Sequence, residues 1–191
     1  MTMLIREAHP ADWPGIWTLM EPIIRAGETY TFARDTSEEA MRAQWLSAPS
    51  SELAETATPS GHDGVRTFRG SRTFVVAEET GGLSAPMIVA TAQLHPNFPG
   101  AGSHVANASF MVHVDHAGKG YGRLLGHHVL NAAFADGYHA MVFNAVVQSN
   151  IGAVHLWQSL GFSILTTIPE AFDHPVHGLV GMHVMHRPLA P

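Results

Sequence analysis

The order of apolar patterns along the chain predicts an α/β sandwich: a mixed central sheet of about six to seven strands with helices on both faces. Three observations carry that expectation. Short runs rich in Val, Ile, Phe and Thr alternate with longer segments whose apolar residues recur at helical spacing, in the order βααβββαβαββ. Glycines and an asparagine stand where strands give way to helices, as in HAGKGYGR at 116–123 and at Asn150. A chain of 191 residues, 46% hydrophobic and without internal repeats, is large enough for one good core, so residues 1–191 are expected to form a single domain.

LIRE is the first strand. Asp12 can cap a helix whose Ile16, Leu19, Met20, Ile23 and Ile24 form one apolar stripe, with Pro22 expected to kink or end it. GETYTF is a loop. A second helix is expected from about Thr36 to Leu46, Thr36 and Glu39 having the form of a capping box. Residues 47–71 are poor in large apolar groups and rich in Ser, Thr, Pro and Gly, which predicts a long loop. RTFVVAEE and MIVATAQLH flank TGGLSAP and read as a hairpin, and ANASFMVHV is the fourth strand. The third helix runs from the glycine turn to Asp136, with Gly137 as its stop. HAMVFNAVV is the fifth strand and Asn150–Leu160 the fourth helix, ended by Gly161; FSILTTI and GLVGMHVMHR complete the sheet.

Composition narrows the function. There is no cysteine, which excludes disulfides, thiolate catalysis and cysteine zinc sites. The formal net charge of −6 argues against a nucleic-acid binder, which shows a basic stripe. No apolar run approaches the ~20 residues of a membrane span, and MTMLIREAHP lacks the pattern of a secretory signal, so no membrane association and a cytoplasmic location are expected. Fourteen histidines invite a metal site. His183 and His186, however, fall on a predicted strand, where a spacing of three puts them on opposite faces, and no HExxH occurs; no metal is expected.

Gly118, Gly120 and Gly122 remove three side chains from a strand-to-helix turn, where free amides and the helix dipole attract phosphate. A nucleotide P-loop would need Ser or Thr after Lys119, which is followed by Gly120; a dinucleotide fold needs GxGxxG after a first strand. The remaining pattern is the [RQ]xxGx[GA] turn, with Ala117 at the basic or Gln place and Gly120 and Gly122 as its glycines. It is followed by Asn150-IG-Ala153-VH-Leu156-Trp157-QSL-Gly161-Phe162. On these motifs the chain resembles the GNAT acetyltransferases from Ile5 to Arg187. The resemblance implies acetyl-CoA as co-substrate and no metal. Val114, Ala117, Gly118, Lys119, Gly120, Tyr121, Gly122 and Arg123 would lie around the pyrophosphate. Asn150 and Trp157 would lie beside the pantetheine arm, and a backbone N–H at Met111 or Val112 against the thioester carbonyl. Members of this fold pair through their C-terminal strands, which implies a homodimer.

Two branches of the family are similar to different parts of the chain. The N-terminal half resembles the phosphinothricin and methionine-sulfoximine acetyltransferases, which carry Glu at the position of Asn107; an amide is not a base. The middle resembles the fungal proline-analogue acetyltransferases through Pro96-Asn97, Ser103-His104, Asn107-Ala108, Phe110, Val112, Phe143-Asn144, Val146, Asn150 and Trp157. That resemblance implies a small amino or imino acid as acceptor, bound and oriented by Asn107 and Asn144, with Glu28, Tyr30 and His104 at its mouth. Direct transfer in a ternary complex is expected, and the general base and acid stay open. A phosphinothricin-type enzyme, a peptide N-terminal acetyltransferase and a non-catalytic acetyl-CoA-binding module are the alternatives.

Overall fold

The computed structural model describes residues 3–46, 71–78 and 86–189. The loop expected at about 47–71 lies outside the described residues except for Ser71, as does most of the hairpin turn after Glu78. In chain order the elements are β1 (Met3–Glu7), α1 (Trp13–Ala26), α2 (Glu38–Trp45), β2 (Arg72–Glu78), β3 (Met87–Pro96), β4 (Val105–Val112), α3 (Tyr121–Ala135), β5 (Ala140–Val147), α4 (Ile151–Ser159), β6 (Ser163–His174) and β7 (Gly178–Pro188). The strands form one seven-stranded sheet in the order β1-β2-β3-β4-β5-β7-β6. This is the expected α/β architecture with a mixed sheet.

Alternation along each strand sends one set of side chains to each face. On one face Ile16, Leu19 and Met20 of α1 and Met41 of α2 are fully buried against Val75, Ala77 and Met111. On the other, Leu125, Val129 and Ala133 of α3 and Val154 and Trp157 of α4 pack on Ala90, Ala92, Ala106, Ala108 and Phe143. Each large side chain removed from water in these layers contributes about 1.5–3 kcal/mol.

Neighbouring strands are antiparallel with one exception. β4 and β5 run parallel and are paired only at Val105↔Ala140 and Ala106↔Met141. Beyond those pairs the two strands separate, leaving a V that is closed at Ala106 and open toward Val112 and Val147. An aromatic cluster fills its α3/α4 side. The Trp157 ring centroid lies 4.7 Å from that of Phe110 on β4 and 4.8 Å from that of Phe143 on β5, and Phe162 stacks on Phe143 at 4.3 Å. The indole is a wedge between the two strands.

Several elements differ from the pattern read in the sequence. α1 continues through Pro22 to Ala26; the missing N–H costs one helical bond, but the buried stripe from Ile16 to Ile24 holds the helix on the sheet. Asp12 stands at the start of α1, but its carboxylate accepts from Arg6 at 2.6 and 2.7 Å and from the His9 N–H at 2.6 Å. α2 starts at Glu38, and its cap lies one residue later than expected. Ser37 accepts from the Ala40 N–H at 3.2 Å, whereas the Thr36 hydroxyl donates to Ala33 C=O at 2.6 Å and is already satisfied in the preceding turn. β6 runs past FSILTTI to His174 with two bulges, carries Glu170 at φ +51, and exposes residues 163–170 along the sheet edge. His183 is buried with Nδ1 2.8 Å from the Thr167 hydroxyl, while His174 Nδ1 accepts from the N–H groups of Val176 and His177.

Candidate active site

The V between β4 and β5 organises the site because two strand-to-helix turns meet at its open end. β4 leads through a 3-10 turn, Val114–His116, into the glycine turn and α3. β5 leads through Ser149 to α4, whose N-cap is Asn150; its Oδ1 accepts from the Ala153 N–H at 3.2 Å. Each junction holds a buried polar atom without a protein partner, His116 Nδ1 in one and Ser149 Oγ in the other. Buried polar groups are ordinarily paired, so both junctions retain unused hydrogen-bonding capacity.

The three glycines have two different reasons. Gly118 and Gly120 lie at φ +76 and +89, in the left-handed region, and a Cβ on either would meet nothing within 4 Å. No side chain caps α3, so its first amides point out of an open turn. Gly122 instead permits packing: a Cβ there would lie 3.1 Å from Leu156 Cδ2 and 3.7 Å from Val112 Cγ2, so its absence lets α3 start close to α4 and β4. Beside the turn, Met3, Lys119, Gly120, Tyr121, Arg123, Leu124 and His127 line a cleft of about 350 Å³. Lys119 and Arg123 give its rim positive charge, and the Tyr121 hydroxyl is tied to Glu78, whose carboxylate holds that phenol's proton more tightly than usual.

The closed end of the V carries amides. Asn107 and Asn144 alternate with residues of the α3/α4 core on their strands, so their side chains lie on the α1/α2 face. Asn107 Nδ2 donates to Asn97 Oδ1 at 3.2 Å, and Asn144 Nδ2 donates to the same oxygen at 2.7 Å. Three asparagines from β4, β5 and the residue after β3 therefore converge on one atom. Each donating NH2 group has a second hydrogen left.

Tyr30, from the loop after α1, reaches the edge of β4. Its hydroxyl accepts from the Phe110 N–H at 3.2 Å and donates to the Phe110 C=O. Burial raises the phenol's pKa above its ordinary value, outweighing the opposite pull of that backbone contact. The contact also shows which backbone groups face the V. His113 N–H donates to Val89 O across β3, so odd-numbered β4 residues turn their amides to β3, and those of Phe110 and Val112 turn to the gap.

The model for the acetyltransferase (GNAT) family matches residues 30–162. The chain belongs to that family. The structure of a GCN5-related N-acetyltransferase from Kribbella flavida superposes with a TM-score of 0.80 at 42% identity over 97% of each chain. The structure of yncA from Salmonella typhimurium, solved with its cofactor acetyl-CoA, gives 0.77 at 22% identity over 100% of this chain and 96% of that one, a likeness of fold. Among curated relatives, N-acetyltransferase aca1 of Schizosaccharomyces pombe is 38% identical over 78 residues, 41% of this chain and 37% of that protein. L-amino acid N-acyltransferase MnaT of Escherichia coli is 39% identical over 67 residues, 35% of this chain and 38% of that protein. The chain thus matches somewhat over a third of the length of these two relatives.

The residues of this chain fit acetyl-CoA, the cofactor bound in the Salmonella typhimurium structure. The open turn at Gly118 and Gly120, the uncapped start of α3 and the cationic rim supply what a pyrophosphate requires. Val114, Ala117, Lys119 and Arg123 are exposed around that turn. Of the two backbone amides expected at the thioester, that of Val112 faces the gap and that of Met111 faces β3, its side chain buried under α1 and α2. Trp157 is 7% exposed and is placed as the wedge under the V rather than along an open channel; an indole packed among three phenylalanines serves the strand separation. The acceptor-side expectations also sort themselves. Tyr30 lies at the V. Glu28 is an exposed loop carboxylate with no ion pair among the described residues. His104 stands at the closed end with its ring against His139, 5.9 Å away, and Nδ1 at 3.1 Å from Ala101 O. In the sequence, Asn97 is marked only by the Pro-Asn pair at the end of β3. No helix of the described residues is long and apolar enough to cross a membrane.

Proposed function

We propose that this enzyme transfers the acetyl group of acetyl-CoA to the nitrogen of a small amino or imino acid of the proline-analogue type, by direct attack within a ternary complex. One observation carries the reading: the amide groups of Asn107 and Asn144, on the two diverging strands, gather on Asn97 at the closed end of the V. Neutral donors suit an amino acid's carboxylate because they bind it without the extra negative charge that would hold the neighbouring ammonium protonated. With one N–H of each amide fixed on Asn97, the second is free to donate to a carboxylate oxygen. The acceptor nitrogen then lies along the V, toward its open end. Acetyl-CoA supplies an activated acetyl thioester. The glycine turn would hold its pyrophosphate, with Lys119 and Arg123 supplying positive charge at the rim, and the Val112 N–H would donate to the carbonyl oxygen as charge develops on it. The name of MnaT as an L-amino acid acyltransferase supports the same acceptor class.

The test is CoA release from acetyl-CoA across L-azetidine-2-carboxylate, cis-4-hydroxyproline, phosphinothricin, methionine sulfoximine, a polyamine and a short peptide. Turnover is expected on the cyclic imino acids. Asn107→Ala and Asn144→Ala should each raise the acceptor KM at least ~10-fold, the worth of one hydrogen bond to a charged group, with the acetyl-CoA KM within about 2-fold. Turnover confined to phosphinothricin, the polyamine or the peptide would overturn the acceptor assignment. Binding of acetyl-CoA without turnover on any amine would make this chain a binding module.

A further inference from the structure

The asparagine cluster provides no base, and no carboxylate hydrogen-bonds to it among the described residues. An amino or imino acid reaches the enzyme as an ammonium, so a proton must leave before the nitrogen can attack. His95 is placed to take it. It lies near the end of β3 with Asn107 as its Cα partner on β4. Side chains directly opposite on an antiparallel pair have Cβ atoms about 4.5–5.5 Å apart, within the reach of an imidazole. Alternation along β3 puts Thr91, Gln93 and His95 on one face, and Thr91 and Gln93 both hydrogen-bond to Trp45 of α2, which identifies it as the α1/α2 face. Asn97, two residues on, is the hub of the cluster.

The tautomer is also set. His95 Nδ1 lies 2.8 Å from Pro96 O. A carbonyl oxygen only accepts, so Nδ1 bears the hydrogen and Nε2 of the neutral ring keeps its lone pair. The ring is half-buried, open enough to pass a proton on to solvent. Other titratable groups nearby are otherwise engaged. Tyr30 is held on Phe110, His104 rests against His139, and Arg72, the residue nearest on β2, turns to Glu7 and Asp136.

We propose that His95 is the general base of the reaction, a reading that rests on the amino or imino acid acceptor proposed above. Its Nε2 takes one proton from the acceptor's ammonium, giving a neutral amine. The nitrogen lone pair forms the N–C bond to the acetyl carbonyl, the C–S bond breaks, and the sulfur leaves with the electron pair. One proton of the attacking nitrogen ends on the thiolate, the last one for an imino acid and one of two for a primary amine, and His95 releases its own to solvent, so one proton is liberated per acetyl transferred.

The experiment is His95→Gln, with kcat and KM measured from pH 6 to 9.5 on azetidine-2-carboxylate and the acetyl-CoA Kd as a check of folding. The variant should lose ~10²-fold in kcat at pH 7, with the acceptor KM within about 3-fold and the acetyl-CoA Kd unchanged. Its deficit should shrink as pH rises and free amine becomes available from solution. A variant that keeps the wild-type kcat and acid limb overturns the assignment, and so does a deficit that is the same at every pH, the mark of a structural role. The ring-nitrogen NMR shifts of His95 give an independent check: a hydrogen on Nε2 in the neutral ring would equally overturn it. The two proposals fail separately. If the wild type acetylates imino acids and His95→Gln is unaffected, only the base is lost. If the wild type acetylates a different amine and His95→Gln shows the pH-dependent deficit there, the acceptor class is wrong and the base stands.

Discussion

Tyr30→Phe isolates one hydroxyl at the point where the sheet opens. The substitution keeps the ring and its stacking on Phe32, with centroids 5.5 Å apart and planes 6° from parallel. It removes the oxygen that accepts the Phe110 N–H and donates to the Phe110 C=O. Two hydrogen bonds at about 1 kcal/mol net each give a loss of about 2 kcal/mol, with no further desolvation penalty because Phe110 is half-buried and its freed groups can meet water. In a domain of this size that lowers Tm by about 4–8 °C. Urea unfolding followed by circular dichroism measures it. A second signature lies in alkali. Burial raises the Tyr30 pKa, so the folded chain keeps a proton that the unfolded chain releases above pH ~10. The stability from that difference is complete below this pH and is lost as pH rises toward the folded value. The wild type should therefore lose up to about 1.4 kcal/mol per pH unit more than the variant in that range. A change below about 0.5 kcal/mol at pH 7, with parallel alkaline slopes, would refute the bridge as a structural contact.

Two further perturbations address the glycine turn and the gap. Gly120→Val places a branched side chain at φ +89, pointing into the open space before α3, and should raise the acetyl-CoA Kd at least ~10-fold by calorimetry; an unchanged Kd would move the pyrophosphate site elsewhere. Trp157→Ala empties the wedge between Phe110 and Phe143 and should cost about 3–5 kcal/mol of stability, whereas Trp157→Phe should cost markedly less. A loss below about 1 kcal/mol for the alanine variant would mean that the strands stay apart without it.

Most of the layered fold was legible because it rests on local signals. The stripe Ile16–Leu19–Met20–Ile24, the stop at Gly137 and the cap at Asn150 all act within a few residues of where they are read. Pro22 misled because a local breaker was set against a tertiary contact, and the contact won. The glycine turn was visible as chemistry, but the separate task of Gly122 depends on Leu156, a residue thirty-four positions away that comes close only after α4 has folded. The acceptor side was half legible. Asn107 and Asn144 take acceptor roles from the resemblance, which marks Asn97 without a role and leaves His95 unmarked, because only the β3–β4 register brings these two beside the others. Trp157 illustrates the converse, a residue prominent in a motif whose work is done by its volume.

The two-pair junction of β4 and β5 has a consequence for how the backbone exchanges its hydrogens. Met111 and Ser109 turn their amides into the β3 ladder, while Ala108 and Val112 turn theirs into the V, where β5 offers no strand partner. Protection from deuterium along β4 should therefore alternate residue by residue, slow at Ser109 and Met111 and fast at Ala108 and Val112, with Phe110 sheltered by Tyr30. A strand in the middle of a sheet thus behaves along one side as an edge. The amides exposed in this way are kept ready for a ligand while the neighbouring ladder keeps the strand rigid.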